Sequence, residues 1–347
     1  MANGFWERLE RPFVCSAPMA DVTDAPFRRL LAEYGKPDVI WNEFVSADGL
    51  SSGEGRKKLI KILHFKDEER PIVAQFFGSK PENFKVCAEL AVELGYDGID
   101  INMGCPDKSV NKQRAGADLI NNPKLAQDII RTVKKYAPNL PISVKTRAGY
   151  NKVELEAWLP YLLETDPALI TVHARTKKEL SLVPARWELV RRAKEIALAY
   201  GSKTLIMGNG DVKSAYHALQ LAEETGADGV MIGRALIGRP WLLRNLEYIR
   251  KLYSKDEKED AKKLSDLNLL RTPAFTLAIL KKHANYFDEF LSGERGFHRV
   301  RKHLSKYAIG FSGSKELRTA LMSAENKSEV CALVDKTVSR LENEKAV

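Results

Sequence analysis

Cys105 is the side chain with the most chemistry to offer. It stands in a Gly104-Cys105-Pro106 turn, where a permissive residue before it and a rigid one after it describe a fixed loop, not a packed element. A free thiol titrates near about 8.5, so at neutral pH it is mostly protonated and can donate a proton as well as attack. Cys15, Cys87 and Cys331 fall in an apolar run and on helical segments, which suits the commoner fate of cysteine as a small buried hydrophobe. No two of the four cysteines form a Cys-x-x-Cys pair, so neither a metal site nor a disulfide framework is expected, and a reducing, cytoplasmic setting follows. Lys145 and His173 each follow a β-branched run, and both suit the electron-rich atoms of a ring system. Either one alone could equally be a satisfied structural residue. Gly208-Asn209-Gly210-Asp211 and Gly233-Arg234 are glycine-containing turns before helical stretches. Such turns let backbone N–H groups approach an anion, although Asp211 could also simply cap the next helix.

These residues need a frame. Apolar, β-branched segments recur at 13–19, 38–44, 72–77, 98–102, 142–146, 169–173, 204–208 and 228–232. Helical spacing fills the intervals, at 25–34, 81–94, 123–136, 154–164, 187–199 and 213–224. Short strands alternating with amphipathic helices predict βαβ units and a parallel sheet. Eight evenly spaced strands fit an α/β fold of the (β/α)8 TIM-barrel type. A dinucleotide-binding open sheet is disfavoured, because the first strand ends in Ala17-Pro18-Met19 with no glycine cluster. In such barrels the active site lies at the C-terminal strand ends, and phosphate is commonly held after the seventh and eighth strands. Polar or ionisable side chains do stand at nearly every exit: Asn42-Glu43, Gln75, Asn102, Lys145-Thr146-Arg147, His173-Ala174-Arg175, Asn209 and Asp211, and Arg234. A ring of that kind would be costly to keep hydrated or paired on a mere scaffold.

Beyond residue 245 the pattern turns all-helical, with helices predicted at 272–291, 295–307, 315–323 and 328–341 and a mixed-charge run at 255–263 read as a helix end or linker. Residues 1–245 are therefore read as a catalytic barrel and 246–347 as a C-terminal all-helical domain. Charged residues make up 29% of the 347-residue chain and hydrophobic ones 44%, an ordinary globular mixture. No stretch approaches the roughly 18 apolar residues of a membrane helix, and residues 1–11 do not resemble a signal peptide. The 55 Lys and Arg against 46 Asp and Glu give a net charge of +9, compatible with an anionic partner. The excess is pointed at one place. From Arg295 to Lys315 the chain carries Arg299, Arg301, Lys302, Lys306, His298 and His303 with no acidic residue. Arg299, Arg301 and Lys302 are accordingly read as contacts to the phosphates of a nucleic acid, the alternative being a merely solvated face.

Ala17-Pro18-Met19-Ala20 with Thr23-Asp24 and Phe27-Arg28, followed by Asn102-Met103-Gly104-Cys105-Pro106, resembles the dihydrouridine synthases. Lys108, Gly116-Ala117, Lys145, His173-Ala174-Arg175-Thr176, Asn209-Gly210-Asp211, Ile232-Gly233-Arg234 and Arg301-Lys302-His303 continue the likeness in order. The resemblance implies an FMN enzyme, recharged by NADPH, that reduces the 5,6 double bond of uridine in tRNA. It implies that Pro18, Met19, Ala20, Gln75, Lys145, His173, Asn209, Gly210, Asp211, Gly233 and Arg234 hold FMN. On the same footing, Asn102, Lys108 and Arg175 contact the substrate nucleotide and Cys105 gives the proton to C5. A monomer without membrane or metal partner is expected. Two alternatives stand beside this reading: a small-molecule flavin barrel dehydrogenase and an RNA-binding flavoprotein without turnover. Where many family members have a Gly- and Tyr-containing loop before Ala-Asp-Trp, this chain has Lys177-Lys178-Glu179-Leu180-Ser181-Leu182-Val183-Pro184-Ala185-Arg186-Trp187.

Overall fold

The β-branched runs pair side by side in a parallel sheet, as their spacing predicts. In the computed structural model, which describes residues 4–293 and 295–346, the strands are β1 (Phe13–Ser16), β2 (Ile40–Trp41), β3 (Val45–Ser46), β4 (Ile72–Phe77), β5 (Gly98–Met103), β6 (Ile142–Arg147), β7 (Leu169–His173), β8 (Leu205–Asn209) and β9 (Gly229–Ile232). Their order is β1-β9-β8-β7-β6-β5-β4-β2, with β3 paired to the end of β4. Across the remaining gap Ser16 N donates to Val39 O at 3.1 Å and Asp38 N to Val14 O at 2.9 Å. The result is the nearly closed eight-stranded barrel expected from the sequence. The segment 38–44 is not one strand. It splits into β2 and β3, and between them Asn42 Oδ1 accepts the Gln75 N–H at 2.8 Å in place of a ladder carbonyl.

Alternate positions of the strands divide the barrel interior into two kinds. Phe13, Cys15, Val39, Trp41, Leu169, Leu205, Met207 and Met231 form one apolar cluster. The matching alternate positions of β4, β5 and β6 are instead Gln75, Asp100, Asn102, Ser143 and Lys145, and the first four satisfy one another by hydrogen bonds, which offsets the cost of their burial.

The chain forms two compact units: residues 1–20 with 37–233, and residues 21–36 with 234–347. The barrel is the first. The second contains helices Leu246–Ser254, Lys258–Leu267, Pro273–Leu291, His298–Leu304, Ser314–Ser323 and Lys327–Ala346. It also contains Ala25–Tyr34, the helix that follows β1 in sequence, whose Leu30 packs in one cluster with Trp241, Leu277, Leu280 and Tyr307. Of the two readings of the run at 255–263, helix end and linker, the structure has the helix end. Its charges lie at helical spacing, with Lys262 on Asp266 at 2.6 Å and Lys263 on Asp260 at 3.1 Å, so most of it joins helix Lys258–Leu267. Among the described residues no helix is long and apolar enough to cross a membrane.

Candidate active site at the barrel mouth

Cys105 lies just past the end of β5, and four neighbours fix its loop. Asn102 Oδ1 accepts from the backbone N–H of Gly104 at 3.1 Å and of Cys105 at 2.9 Å. The Cys105 carbonyl accepts from Ala117 N at 3.0 Å and from Asn111 Nδ2 at 2.9 Å. Arg147 Nε donates to the Gly104 carbonyl at 2.8 Å. Gly116 explains the Gly116-Ala117 pair: it sits at φ +63°, and a Cβ there would come 2.9 Å from the Cys105 carbonyl oxygen. Burial raises the Cys105 thiol above its ordinary value, outweighing the pull of Lys145 and Arg147. The group is therefore held as a thiol, a proton store and not a standing thiolate.

Asn102 is equally committed on its other side. Its Nδ2 donates to Gln75 Oε1 at 2.9 Å, and Gln75 Nε2 donates to Asp100 Oδ2 at 2.5 Å. Ser143 Oγ donates to Asp100 Oδ1 at 2.5 Å. Burial pushes the Asp100 carboxyl up to about 6, although these hydrogen bonds favour its charge. Lys145 is half-buried, and burial pulls its ammonium down to about 8 with help from Arg147. Among the described residues no hydrogen bond or ion pair joins the Lys145 ammonium to the protein. Thr171, its register partner on β7, has a buried hydroxyl that is likewise unbonded. An ammonium without a hydrogen bond at the strand exits fits an electron-rich ring ligand, whereas the Thr171 hydroxyl is closed off from solvent.

Arg147 went unassigned in the sequence. Besides Gly104, its guanidinium donates to the carbonyls of Thr176 and Leu180, both at 2.9 Å, and so ties the β5 loop to the 177–187 loop. The signal was the alternation: Lys145 and Arg147 share one face of β6, as Asp100 and Asn102 share one face of β5.

At β7 and β8 the picture is tighter than the sequence suggests. Arg175 is 2% exposed. It donates to Val183 O at 2.6 Å, contacts His173 Nε2 at 3.2 Å and pairs with Asp211. Asp211 Oδ2 also accepts from Ala185 N at 2.9 Å. The helix-cap alternative for Asp211 is thereby overturned, since Ser214 caps helix Ala215–Thr225. Trp187 Nε1 donates to Gly210 O at 2.9 Å, and a Cβ on Gly208 would lie 2.2 Å from the Trp187 ring. Gly210, at φ +133°, gives way to Ala185, whose Cβ a side chain would approach to 2.8 Å. Asn209 donates to Met231 O at 2.8 Å. The 177–187 loop is thus bolted down by the very residues the sequence assigned to ligands.

Pro18 is buried, Met19 half-buried and Ala20 exposed at the end of β1. Gly233 meets them: a Cβ there would make only ordinary contact, 3.4 Å to Ala17 Cβ and 3.5 Å to Met19 Sδ, so this glycine is not closed over by protein. Lys108 is exposed on helix Lys108–Lys112. Arg234 belongs to the helical unit. So do the basic residues of 295–315, which do have an acidic partner. Asp21, 278 residues away from Arg299, takes Arg299 at 2.8 Å, Arg295 at 3.8 Å and Lys302 at 4.0 Å. Arg301 is spent on the carbonyls of Ala324 at 2.5 Å and Met322 at 3.2 Å, where it caps the end of helix Ser314–Ser323.

A family model described as Dihydrouridine synthase (Dus) matches residues 15–343. The chain belongs to the dihydrouridine synthase family. It is 38% identical over 338 residues to "Probable tRNA-dihydrouridine synthase 2" of Bacillus subtilis strain 168, covering 96% of this chain and 97% of that one. It is 36% identical over 347 residues to "Probable tRNA-dihydrouridine synthase" of Staphylococcus aureus strain COL, covering 99% and 98%. The dihydrouridine synthases are oxidoreductases, and the family match spans both compact units. Among solved structures, morphinone reductase in complex with tetrahydroNAD matches 70% of this chain and 89% of its own, with a TM-score of 0.48 and 14% identity.

Proposed function

We propose that this dihydrouridine synthase reduces the 5,6 double bond of uridine in tRNA, with FMN as its cofactor and NADPH as the reductant. The observation that carries the reading is Cys105 on a loop fixed by Asn102, Asn111, Ala117 and Arg147, in the same barrel as a Lys145 ammonium that, among the described residues, has no hydrogen bond or ion pair. Lys145 would hold the polar edge of FMN, with His173 and Met19 alongside and Gly233 leaving the backbone open to the phosphate. When bound, FMN supplies the hydride that forms the new bond at C6 of the uracil. The remaining work falls to Cys105. Its S–H bond breaks as a C–H bond forms at C5, the electron pair of the former double bond takes the proton, and the thiolate left behind is reprotonated from water. Raising the thiol above its ordinary value keeps that proton in place until C5 becomes basic. The target uridine must leave its stack to reach the barrel mouth, and exposed Lys108 together with Arg299 and Lys302 would meet phosphates.

The test is direct. Purified protein should be yellow, with about one FMN per chain, and with NADPH should form dihydrouridine in unmodified tRNA as measured by nucleoside mass spectrometry. Colourless protein that takes up no FMN on reconstitution sinks the flavin reading. Turnover of a free pyrimidine but not of tRNA would establish the small-molecule alternative.

A further inference from the structure

Behind Cys105 runs an unbroken chain of hydrogen bonds that ends on a carboxylate with no place in the reaction above. Ser143 donates to Asp100 Oδ1 and Gln75 Nε2 to Asp100 Oδ2, each at 2.5 Å. Gln75 Oε1 then accepts from Asn102 Nδ2 at 2.9 Å, and Asn102 Oδ1 accepts the two backbone N–H groups of Gly104 and Cys105. Asp100 and Gln75 are fully buried and Asn102 nearly so. An amide has a donor end and an acceptor end, and either end fits the same space. An ionised carboxylate only accepts. With Asp100 charged, Gln75 must point its Nε2 toward it, which leaves Oε1 for Asn102. Asn102 in turn must offer Nδ2 to Gln75 and Oδ1 to the loop. Reversing Asn102 would set donor against donor at the Gly104-Cys105 backbone, and reversing Gln75 would set acceptor against acceptor at Asp100 and donor against donor at Asn102.

We propose that Asp100 is a positioning residue for Cys105, fixing through Gln75 and Asn102 the polarity of the amide chain that holds the Gly104-Cys105 backbone. The groups facing Asp100 are Gln75 from β4, Ser143 and Lys145 from β6 and Trp41 from β2. The consequence for catalysis rests on the reading of Cys105 as proton donor, but the brace itself does not.

Hydrogen–deuterium exchange reads the brace without cofactor chemistry or RNA. In Asp100→Leu, which offers Gln75 no acceptor, the Gly104 and Cys105 amides should exchange at least tenfold faster than in the wild-type protein, while β4 and the rest of β5 stay protected. Asp100→Asn still has an oxygen to present to Gln75 Nε2 and should recover to within about threefold of wild type. Single-turnover uridine reduction should fall by about tenfold in Asp100→Leu and recover in Asp100→Asn. Exchange at Gly104 and Cys105 within twofold of wild type in Asp100→Leu overturns the proposal. If that variant loosens all of β5, Gln75→Met decides. It keeps Asp100 and cuts the next link, so it should free the same two amides, and continued protection there overturns the proposal. A wild-type protein that makes no dihydrouridine, yet shows the expected exchange pattern, removes the catalytic reading and leaves the brace.

Discussion

Two groups of cations, equally visible in the sequence, are used in opposite ways by the two units. At the barrel mouth Arg147 and Arg175 turn inward and commit their donors to carbonyls, a histidine and a carboxylate, whereas the Lys145 ammonium has no hydrogen bond or ion pair among the described residues. In the helical unit Arg299 and Lys302 stay exposed around one shared carboxylate, Asp21, while Arg301 caps a helix. The difference teaches that a basic residue at a strand exit is not thereby a ligand. What matters is how many of its donors the protein has already taken.

The comparison breaks most visibly at the barrel. Cys105→Ala should slow uridine reduction by about a hundred- to ten-thousandfold in single-turnover assays, the usual cost of losing a general acid, while NADPH still reduces the bound flavin. A wild-type rate would remove Cys105 from the mechanism. Loss of FMN as well would make it a packing residue. Next in size, Lys145→Met should weaken FMN binding by at least about tenfold, if one charge-assisted contact of about 1.5–3 kcal/mol is lost. The pH dependence follows in sign. Burial has brought the ammonium down to about 8, so its charge is present below that value and lost above it. FMN affinity should therefore drop between pH 7 and 9 in the wild-type protein and not in the variant, as followed by flavin fluorescence.

The helical unit supplies the smaller effects. Reversing charge at Arg299 and Lys302 together should lower RNA affinity and flatten its salt dependence by up to about one unit of slope per phosphate contact, with flavin reduction untouched. Asp21→Asn should do the opposite and tighten binding, because it releases the cations it now holds. Unchanged salt slopes in both would show that this face is merely solvated. Arg301→Ala should instead cost stability, about 0.5–2 kcal/mol as for other lost caps, with the salt slope preserved. Gly208→Ala, which thrusts a Cβ into the Trp187 ring, should cost about 1–3 kcal/mol or expel Trp187 and make the 177–187 loop cleavable by protease.

The barrel was legible because buried parallel strands write themselves as short β-branched runs, and Cys105 because glycine and proline mark its loop. The fate of Arg175 was not legible. Its partners Val183, Ala185 and Asp211 come together only when a loop closes over two strand ends. Asp21 could not be paired with Arg299 from a distance of 278 residues. Asp100 was missed for a different reason: a carboxylate between Ile99 and Ile101 reads as an interruption in a strand until its alternate neighbours on β4 and β6 prove to be polar too.

Residues 21–36 leave the barrel after β1, contribute the helix Ala25–Tyr34 to the other unit, and return before β2. The chain therefore crosses between the units three times, at 20/21, 36/37 and 233/234. No single cut separates them. A fragment ending at residue 233 would keep helix Ala25–Tyr34 but lose Trp241, Leu277 and Leu280, and Leu30 would be left facing water. Such a fragment is expected to be sticky, whereas replacing 21–36 by a short linker in it removes the orphaned stripe. The same threading carries a mechanical meaning: each unit is stitched into the other's covalent path, so any force applied to the helical unit loads the backbone directly behind Pro18 and Met19.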